Sequence, residues 1–414
     1  MNREYDVVIV GAGHGGVHLA TALVKGGYDG SVALVSAESA IPYERPPLSK
    51  GYLLGSESFD DIAFRTAAYW EKSPVELLLD SRVTEVRPGE RRVVTEAGDE
   101  IGYGRLVWAA GGRARALPVP GHDLAGVHGI REIVGLDALR GELPGVKRAV
   151  IIGGGYIGLE AAAAFRTLGI EVTVIEVQDR LLARVTSPVI SDFFLDLHRS
   201  AGVDVRLGTG VRELRGADGR VRSIVLDTGA EVPADLVVVG VGLLPNTELL
   251  AGAGAACGNG VEVDEFCRTD LPGISAIGDC ASHSNPFAGG RRMRLESVQN
   301  ATEQAKVVAA DIAGDPRPYR VVPWFWSNQF KVRLKTVGIV SEYDELVVRG
   351  TPESGTFTVA YLSGGRIIAL DCVNTAADFA HGKALVDHGA NVKASMLADT
   401  SRPLKELLTR QPVA

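Results

Sequence analysis

Two glycine-rich runs stand out by residue type and spacing: Gly11-Ala12-Gly13-His14-Gly15-Gly16 and Gly153-Gly154-Gly155-Tyr156-Ile157-Gly158. Each carries glycine at its first, third and sixth positions, which lets backbone amides close in on a pyrophosphate at the start of a helix. Eighteen residues past Gly158 stands Glu176, close to the ~20 at which a carboxylate accepts the adenosine ribose hydroxyls of a dinucleotide. An acid there repels a 2′-phosphate, so this second site is expected to take NADH in preference to NADPH. Arg180 and Arg184 follow and offer the opposite possibility of holding that phosphate, although solvated or ion-paired arginines are the plainer account. After the first run the acid is less well placed: the following strand ends on Ser36-Ala37, and Glu38 is the nearest candidate.

The elements around both runs are those that such sites need. Val7 to Val10 is a short buried-strand run, helix-spaced Val17, Ala20, Leu23 and Val24 follow the glycines, and Ser31 to Val35 makes a second strand. Ala149 to Ile152, a helix carrying Leu159, Ala162, Phe165 and Leu168, and a strand from Glu171 to Ile175 repeat that order. Both halves then continue alike, each with a turn-rich hairpin and an apolar run, Leu106 to Gly111 in one and Leu236 to Gly240 in the other. Gly153 lies 142 residues after Gly11, whereas Val211 lies 128 after Val83 and Leu236 lies 130 after Leu106. An internal duplication is the simplest account, its first copy holding an insertion that contains Pro42-Tyr43-Glu44-Arg45-Pro46-Pro47-Leu48-Ser49-Lys50. Two dinucleotide sites in one chain imply two nucleotides, and the reaction that uses both is hydride transfer from a nicotinamide to a flavin.

Composition removes other classes. The chain has 414 residues and a net charge of −8, which gives no general electrostatic reason to bind nucleic acid or anionic lipid. Its 46% hydrophobic content supports the cores of two or three domains and excludes disorder as the main state. No apolar run reaches the ~18 residues of a membrane span, and Met1 to Asp6 leads straight into the first strand without a signal-peptide pattern, so the cytoplasm is the expected location. Cys257, Cys267, Cys280 and Cys372 show no CxxC spacing, and neither they nor the eight histidines form a ligand cluster; no metal is expected.

Six ordered motifs together carry a more specific resemblance. They are Arg45-Pro46-Pro47-Leu48-Ser49-Lys50, Gly153 to Glu160, Gly242-Leu243-Leu244-Pro245-Asn246, Ala276-Ile277-Gly278-Asp279-Cys280, Glu296 to Ala301 and Trp324-Phe325-Trp326-Ser327. Across essentially the whole chain they resemble the FAD-dependent, putidaredoxin reductase-like ferredoxin reductases of bacterial oxygenase systems. The resemblance implies an α/β fold of the glutathione reductase type, with two Rossmann-like dinucleotide-binding domains and a C-terminal α/β domain. A split FAD-binding domain would take residues 1–112 and 246–318, an NAD-binding domain 113–245 and the C-terminal domain 319–414. Ala110 departs from the wider superfamily's Ala-Thr-Gly, which has threonine there.

The resemblance also assigns roles. Gly11, Gly13, Gly16, Glu38 and Arg45 would serve FAD, and Gly153, Gly155, Gly158 and Glu176 would serve NADH. Asp279, at the carboxyl end of a buried-strand run and after a permissive glycine, would accept from the FAD ribityl chain; capping of the next helix is the alternative. Lys50 would stand near the reactive edge of the flavin, favouring its negatively charged reduced form, and would pair with Glu160. Disulfide reductases of this fold carry a cysteine pair in this region, and here dithiol chemistry is excluded. Arg131 matches a position near FAD. Glu296 and Val298 precede a helical segment from Ala301 to Ala313, whose first amides would serve the flavin pyrimidine. Trp324 and Trp326 would shield the flavin or mark a docking surface, unless they are simply packed. His14 and His18 receive no role.

The implied activity is hydride transfer from NADH to FAD and then single electrons to a small [2Fe-2S] ferredoxin that serves an oxygenase. Two alternatives remain open: an NADH oxidase or peroxidase, which would want a cysteine between Pro42 and Lys50, and an FAD- and NADH-binding signalling protein resembling apoptosis-inducing factor. Independently of the resemblance, the stretch from Pro286 to Lys335 holds nine basic against four acidic side chains in an otherwise acidic chain. Within it Lys331, Arg333 and Lys335 alternate with Val332 and Leu334, which on a strand puts the cations on one face. Such a face would steer an acidic ferredoxin, though a solvated strand would show the same pattern. Monomer and weak dimer are both compatible with the sequence.

Overall fold

Val7 to Val10 has no polar side chain, and a strand of that kind must be covered on both faces. The structure, a computed structural model describing residues 2–408, buries it completely. Strand β1 (Asn2–Val10) is followed by helix α1 (His14–Lys25), β2 (Val32–Val35), β3 (Val75–Leu78), β4 (Val83–Arg87), β5 (Arg92–Thr95) and β6 (Glu100–Trp108). Their sheet runs β3-β2-β1-β6-β5-β4, parallel from β3 to β6 and antiparallel beyond, and strand Ile274–Ala276 adds to β6 in parallel. Val7 and Ile9 pack with Val17, Leu23 and Val308 on one side; Val8 and Val10 pack with Val93, Leu106 and Trp108 on the other. This is the first of two units, made of the chain up to Arg45, Ser58–Arg113 and Leu244–Pro323.

The second unit comprises Pro46–Glu57, Ala114–Leu243 and the chain from Trp324 on. Here β7 (Val127–His128), β8 (Arg148–Ile152), helix α2 (Tyr156–Thr167), β9 (Glu171–Ile175), helix α3 (Pro188–Ser200), β10 (Asp204–Arg206) and β11 (Leu236–Val239) form the second parallel sheet, in the order β10-β9-β8-β11-β7. Val150, Ile152, Val237 and Val239 pack against Leu214, Ile224 and Leu226 of a neighbouring antiparallel sheet. The two Rossmann-like sheets inferred from the glycine runs are thus both present. The C-terminal part is a five-stranded antiparallel sheet, β12 (Trp324–Gln329), β13 (Val332–Gly338), β14 (Glu345–Thr351), β15 (Thr356–Ser363) and β16 (Arg366–Val373), ordered β12-β13-β16-β15-β14 and followed by helix α4 (Ala376–Asp387). Buried Arg349 ties its far end together, donating to Asp378 and to the carbonyls of Leu397, Asp399 and Arg402.

Candidate functional site

At the first glycine run the backbone leaves β1 through Gly11, whose φ of +109° is open only to glycine, and a Cβ there would lie 2.3 Å from the Ala109 carbonyl oxygen. Gly16 lies still closer: its Cβ would fall 1.9 Å from the Gly11 carbonyl oxygen, so helix α1 can start directly against the strand end only without side chains. Gly13 is the N-cap and provides no side-chain cap, which leaves the first turn of α1 suited to an anion. Glu38 and Arg45 meet beside this loop. The Arg45 Nη2 donates to Glu38 Oε1 at 2.6 Å, the Tyr43 hydroxyl donates to Glu38 Oε2 at 2.6 Å, and a Cβ on Gly13 would lie 3.9 Å from the Arg45 Nε. Tyr43 was missed in the sequence, although it sits in the same insertion run. His14 and His18 stack with each other and meet the edge of Phe64.

The second run repeats the geometry. Gly153 has φ +111°, a Cβ on Gly158 would lie 2.1 Å from the Gly153 carbonyl oxygen, and Gly155 caps α2 without a side chain and faces open space. Glu176 reaches back to this loop: its Oε2 accepts from the Gly154 amide at 2.6 Å and its Oε1 from the Gln178 amide at 2.8 Å. Each oxygen keeps lone-pair capacity for a hydroxyl. Arg180 is spent on the carbonyls of Thr186 and Ala183 and on the Ser191 hydroxyl, so it is not available for a 2′-phosphate, while Arg184 is exposed.

Lys50 and Glu160, 110 residues apart in sequence, form an ion pair at 2.6 Å with side chains 20% and 2% exposed. The Lys50 Nζ also donates to the Pro46 carbonyl. The Ser49 hydroxyl donates to the same Glu160 oxygen at 2.6 Å, and the Ser327 hydroxyl donates to the other at 2.7 Å. Both serines lie in the motifs Arg45 to Lys50 and Trp324 to Ser327, yet neither role is legible in the sequence, because a hydroxyl donor far along the chain leaves no spacing signature. The four cysteines are free. Burial pushes the Cys280 and Cys372 thiols up to about 12 and raises Cys257 and Cys267 as well, so none of them is primed as a thiolate nucleophile.

Asp279 sits in a single 3-10 turn, Gly278–Cys280, where Gly278 takes φ +76° and donates its amide to the buried Gln304 side chain at 2.7 Å. Gln304 in turn faces the buried His283, whose pKa burial lowers to about 4. The helix near Glu296 starts at Val298, three residues before Ala301, because the Ser297 hydroxyl caps it by accepting from the Asn300 amide. Glu296 itself is exposed and paired with Arg294 at 2.8 Å. Arg131 is half-buried in the bend ahead of helix Ile133–Glu142, in the second unit. On β13 the alternation is realised: Val332 and Leu334 are buried, Arg333 is exposed and Lys335 half-exposed, while Lys331 occupies the preceding turn. The Lys335 Nζ lies 4.6 Å from the Phe379 ring and the Lys383 Nζ 5.1 Å from that of Trp324, which itself meets Phe379 and Trp326.

Whether these residues suit a dinucleotide pair is answered by the loops themselves. Two helix starts stripped of side-chain caps, each pressed against a strand end that tolerates no Cβ and each flanked by a carboxylate, are cradles for pyrophosphates.

Comparison with known proteins is consistent with that geometry. Residues 5–305 match the family model for pyridine nucleotide-disulphide oxidoreductases, and residues 324–408 match that for the reductase C-terminal domain. The chain is 49% identical over 409 residues to the ferredoxin reductase subunit of the 5,5'-dehydrodivanillate O-demethylase of a Sphingobium species, covering 99% of each. It is 51% identical over 412 residues to a ferredoxin–NAD(P)(+) reductase of a Sphingomonas species, again covering 99% of each. The crystal structure of a covalent putidaredoxin reductase–putidaredoxin complex matches with a TM-score of 0.94 at 38% identity, over 98% of both chains.

Proposed function

The chain belongs to the pyridine nucleotide-disulphide oxidoreductases and groups there with the ferredoxin reductases, and from that premise we propose that it carries electrons from NADH through FAD to a small [2Fe-2S] ferredoxin in the cytoplasm. Gly11, Gly13, Gly16, Glu38, Arg45, Asp279, Glu296 and Val298 would hold FAD, with Lys50 and Arg131 as further contributors. Gly153, Gly155, Gly158 and Glu176 would hold NADH. Bound FAD would supply the ability to take up two electrons together and release them singly.

One observation carries the reading. The segment that in disulfide reductases brings a reactive cysteine pair here brings Ser49 and Lys50 to Glu160, and burial raises the pKa of every thiol of the chain. Electrons then have no dithiol to pass to, which favours release to an external carrier. The same observation weighs against an NADH oxidase or peroxidase built on a cysteine. Lys50, anchored by Glu160, would supply a fixed positive charge that favours flavin reduction. Exposed Arg333 and half-exposed Lys335, on one face of β13, would steer the acidic ferredoxin.

The deciding experiment is steady-state cytochrome c reduction by NADH with and without a [2Fe-2S] ferredoxin. Dependence on the ferredoxin supports the carrier role. Turnover that never responds to ferredoxin, with NADH binding nonetheless visible as a conformational change, would favour the signalling alternative.

A further inference from the structure

On the side of Glu160 away from Lys50, a line of buried polar side chains continues into the C-terminal sheet. Its Oε1 accepts from the Ser327 hydroxyl at 2.7 Å; the Gln329 Nε2 donates to Ser327 Oγ at 3.2 Å; and the Gln329 Oε1 lies 2.8 Å from the His198 Nε2. Ser327, Gln329 and His198 are fully buried, and Glu160 is 3% exposed. Ser327 and Gln329 are two residues apart on β12 and therefore share one face of that strand, which looks toward Glu160 on α2 and His198 on α3.

The hydrogen-bond directions are determined from the charged end. A carboxylate only accepts, so the single proton of Ser327 is spent on Glu160. The free lone pair of Ser327 then takes the Gln329 amide NH2, which turns the amide oxygen toward His198 and requires the proton on His198 Nε2. His198 Nδ1 is left as an acceptor with no partner among the described residues, next to the Phe330 ring. Burial lowers the pKa of His198, in keeping with a neutral ring. Every link thus donates toward Glu160. Buried polar groups of this kind cost free energy that an apolar core filling the same space would not.

We infer that Ser327, Gln329 and His198 are positioning residues, a donor chain by which the C-terminal sheet fixes the second oxygen of Glu160 and, through Glu160, the ammonium of Lys50. This rests on the reading of the Lys50/Glu160 pair given above. Without Ser327, Glu160 Oε1 would be a buried carboxylate oxygen lacking its donor, and the carboxylate would be held from one side only, through Oε2 by Ser49 and Lys50, with its rotation about the last bond less restrained.

The test uses the FAD-loaded enzyme and the variants Lys50→Met, Ser327→Ala, Ser327→Thr and Gln329→Leu, with Ser327→Ala also combined with Lys50→Met. Each is read by single-turnover reduction with NADH, by the midpoint potential of the bound flavin and by Tm. Ser327→Ala and Gln329→Leu are expected to slow reduction about tenfold, the lower end of what loss of an outer hydrogen-bond partner costs at metal-ligating side chains. The Kd for NADH, from the concentration dependence of single-turnover reduction, should stay within about twofold, because no NADH-binding group is altered. The potential should move in the same direction as in Lys50→Met, Ser327→Thr should restore both quantities because it keeps the hydroxyl, and Ser327→Ala should add nothing in the Lys50→Met background. Should Ser327→Ala fail to fold, Gln329→Leu carries the same comparison. If Lys50→Met slows reduction while the chain variants keep the wild-type rate and potential, the inference is overturned and the reading of Lys50 stands. A Lys50→Met enzyme with unchanged rate and potential overturns both.

Discussion

Replacing Glu176 with alanine separates two things its carboxylate does. In the wild type one carboxylate oxygen accepts from Gly154 and the other from Gln178, and the side chain is partly exposed. A 2′-phosphate placed where the ribose hydroxyls would sit brings nearly two negative charges to this carboxylate. At about 4 Å each charge pair costs between ~1 kcal/mol in water and ~4 kcal/mol near a protein surface. Even the lower figure, doubled to ~2 kcal/mol, amounts to roughly thirtyfold in kcat/KM for NADH over NADPH. Arg180 offers no compensation, being spent on carbonyls and on Ser191. In Glu176→Ala the repulsion disappears, so kcat/KM for NADPH should hold or rise. That for NADH should fall by about tenfold, since the ribose acceptor and the brace on the Gly154 amide go together. The assay is initial-rate kinetics with both nucleotides and a saturating artificial acceptor, on wild type and variant, with Tm as a folding check. Equal use of the two nucleotides by the wild type, or an unchanged ratio in the variant, refutes the assignment.

Lys50→Met should retain FAD yet slow its reduction by NADH in stopped flow, because the lost charge faces Glu160 rather than a pyrophosphate loop; loss of the flavin instead would make Lys50 a binding residue. Arg333→Glu with Lys335→Glu should raise the KM for ferredoxin several-fold and weaken its salt dependence while NADH-driven ferricyanide reduction stays normal; an unchanged salt dependence would place docking elsewhere. Asp371 is fully buried, takes donors from Thr186 and Tyr361 on one oxygen, and has its pKa raised by burial from 3.8 to about 6. The folded state therefore holds this proton more tightly than the unfolded chain, and the stability it contributes is fully present below pH ~4 and lost as pH rises through ~6, by up to about 3 kcal/mol. Asp371→Asn should flatten denaturation midpoints over that pH window, and a slope identical to wild type would contradict it. Arg349→Met should cost about 3 kcal/mol, because it removes the cation paired with Asp378, which keeps only the Thr358 hydroxyl, together with the donors to the carbonyls of Leu397, Asp399 and Arg402, measurable by urea denaturation.

The glycine runs were legible because their function demands a local pattern: strand, turn and helix must follow within a few residues, and a Cβ at Gly16 or Gly158 would collide with backbone. Less legible was the start of the helix at Val298. Gln299 and Asn300 read as loop, yet both are buried, and Asn300 bonds the Tyr319 hydroxyl, so an inward polar face hid the period. The first strand extends back to Asn2 because it pairs along the full length of β6, from Glu100 to Trp108, a partner that hydropathy does not announce. At the candidate site, Lys50 and Glu160 are brought together across 110 residues. No spacing rule spans that distance, and only the resemblance suggested the pair. Ser49 and Ser327 escaped for the same reason, since a serine that donates one hydrogen bond looks like any other serine until the fold supplies its acceptor.

The late arrival of strand Ile274–Ala276 beside β6 has a consequence for biosynthesis. Its partner residues Leu106, Val107 and Trp108 leave the ribosome first and wait for it. At ~5–20 residues per second the delay is on the order of ten to thirty seconds, during which an apolar edge next to the first nucleotide loop stands unpaired. Nothing in the intervening chain belonging to the second unit supplies a substitute strand for that register. The nascent polypeptide therefore passes through a window in which it is open to edge-to-edge association, and that window should close only once Ala276 has cleared the exit tunnel. Slowing translation between codons 109 and 274 would lengthen the exposure without altering the finished protein.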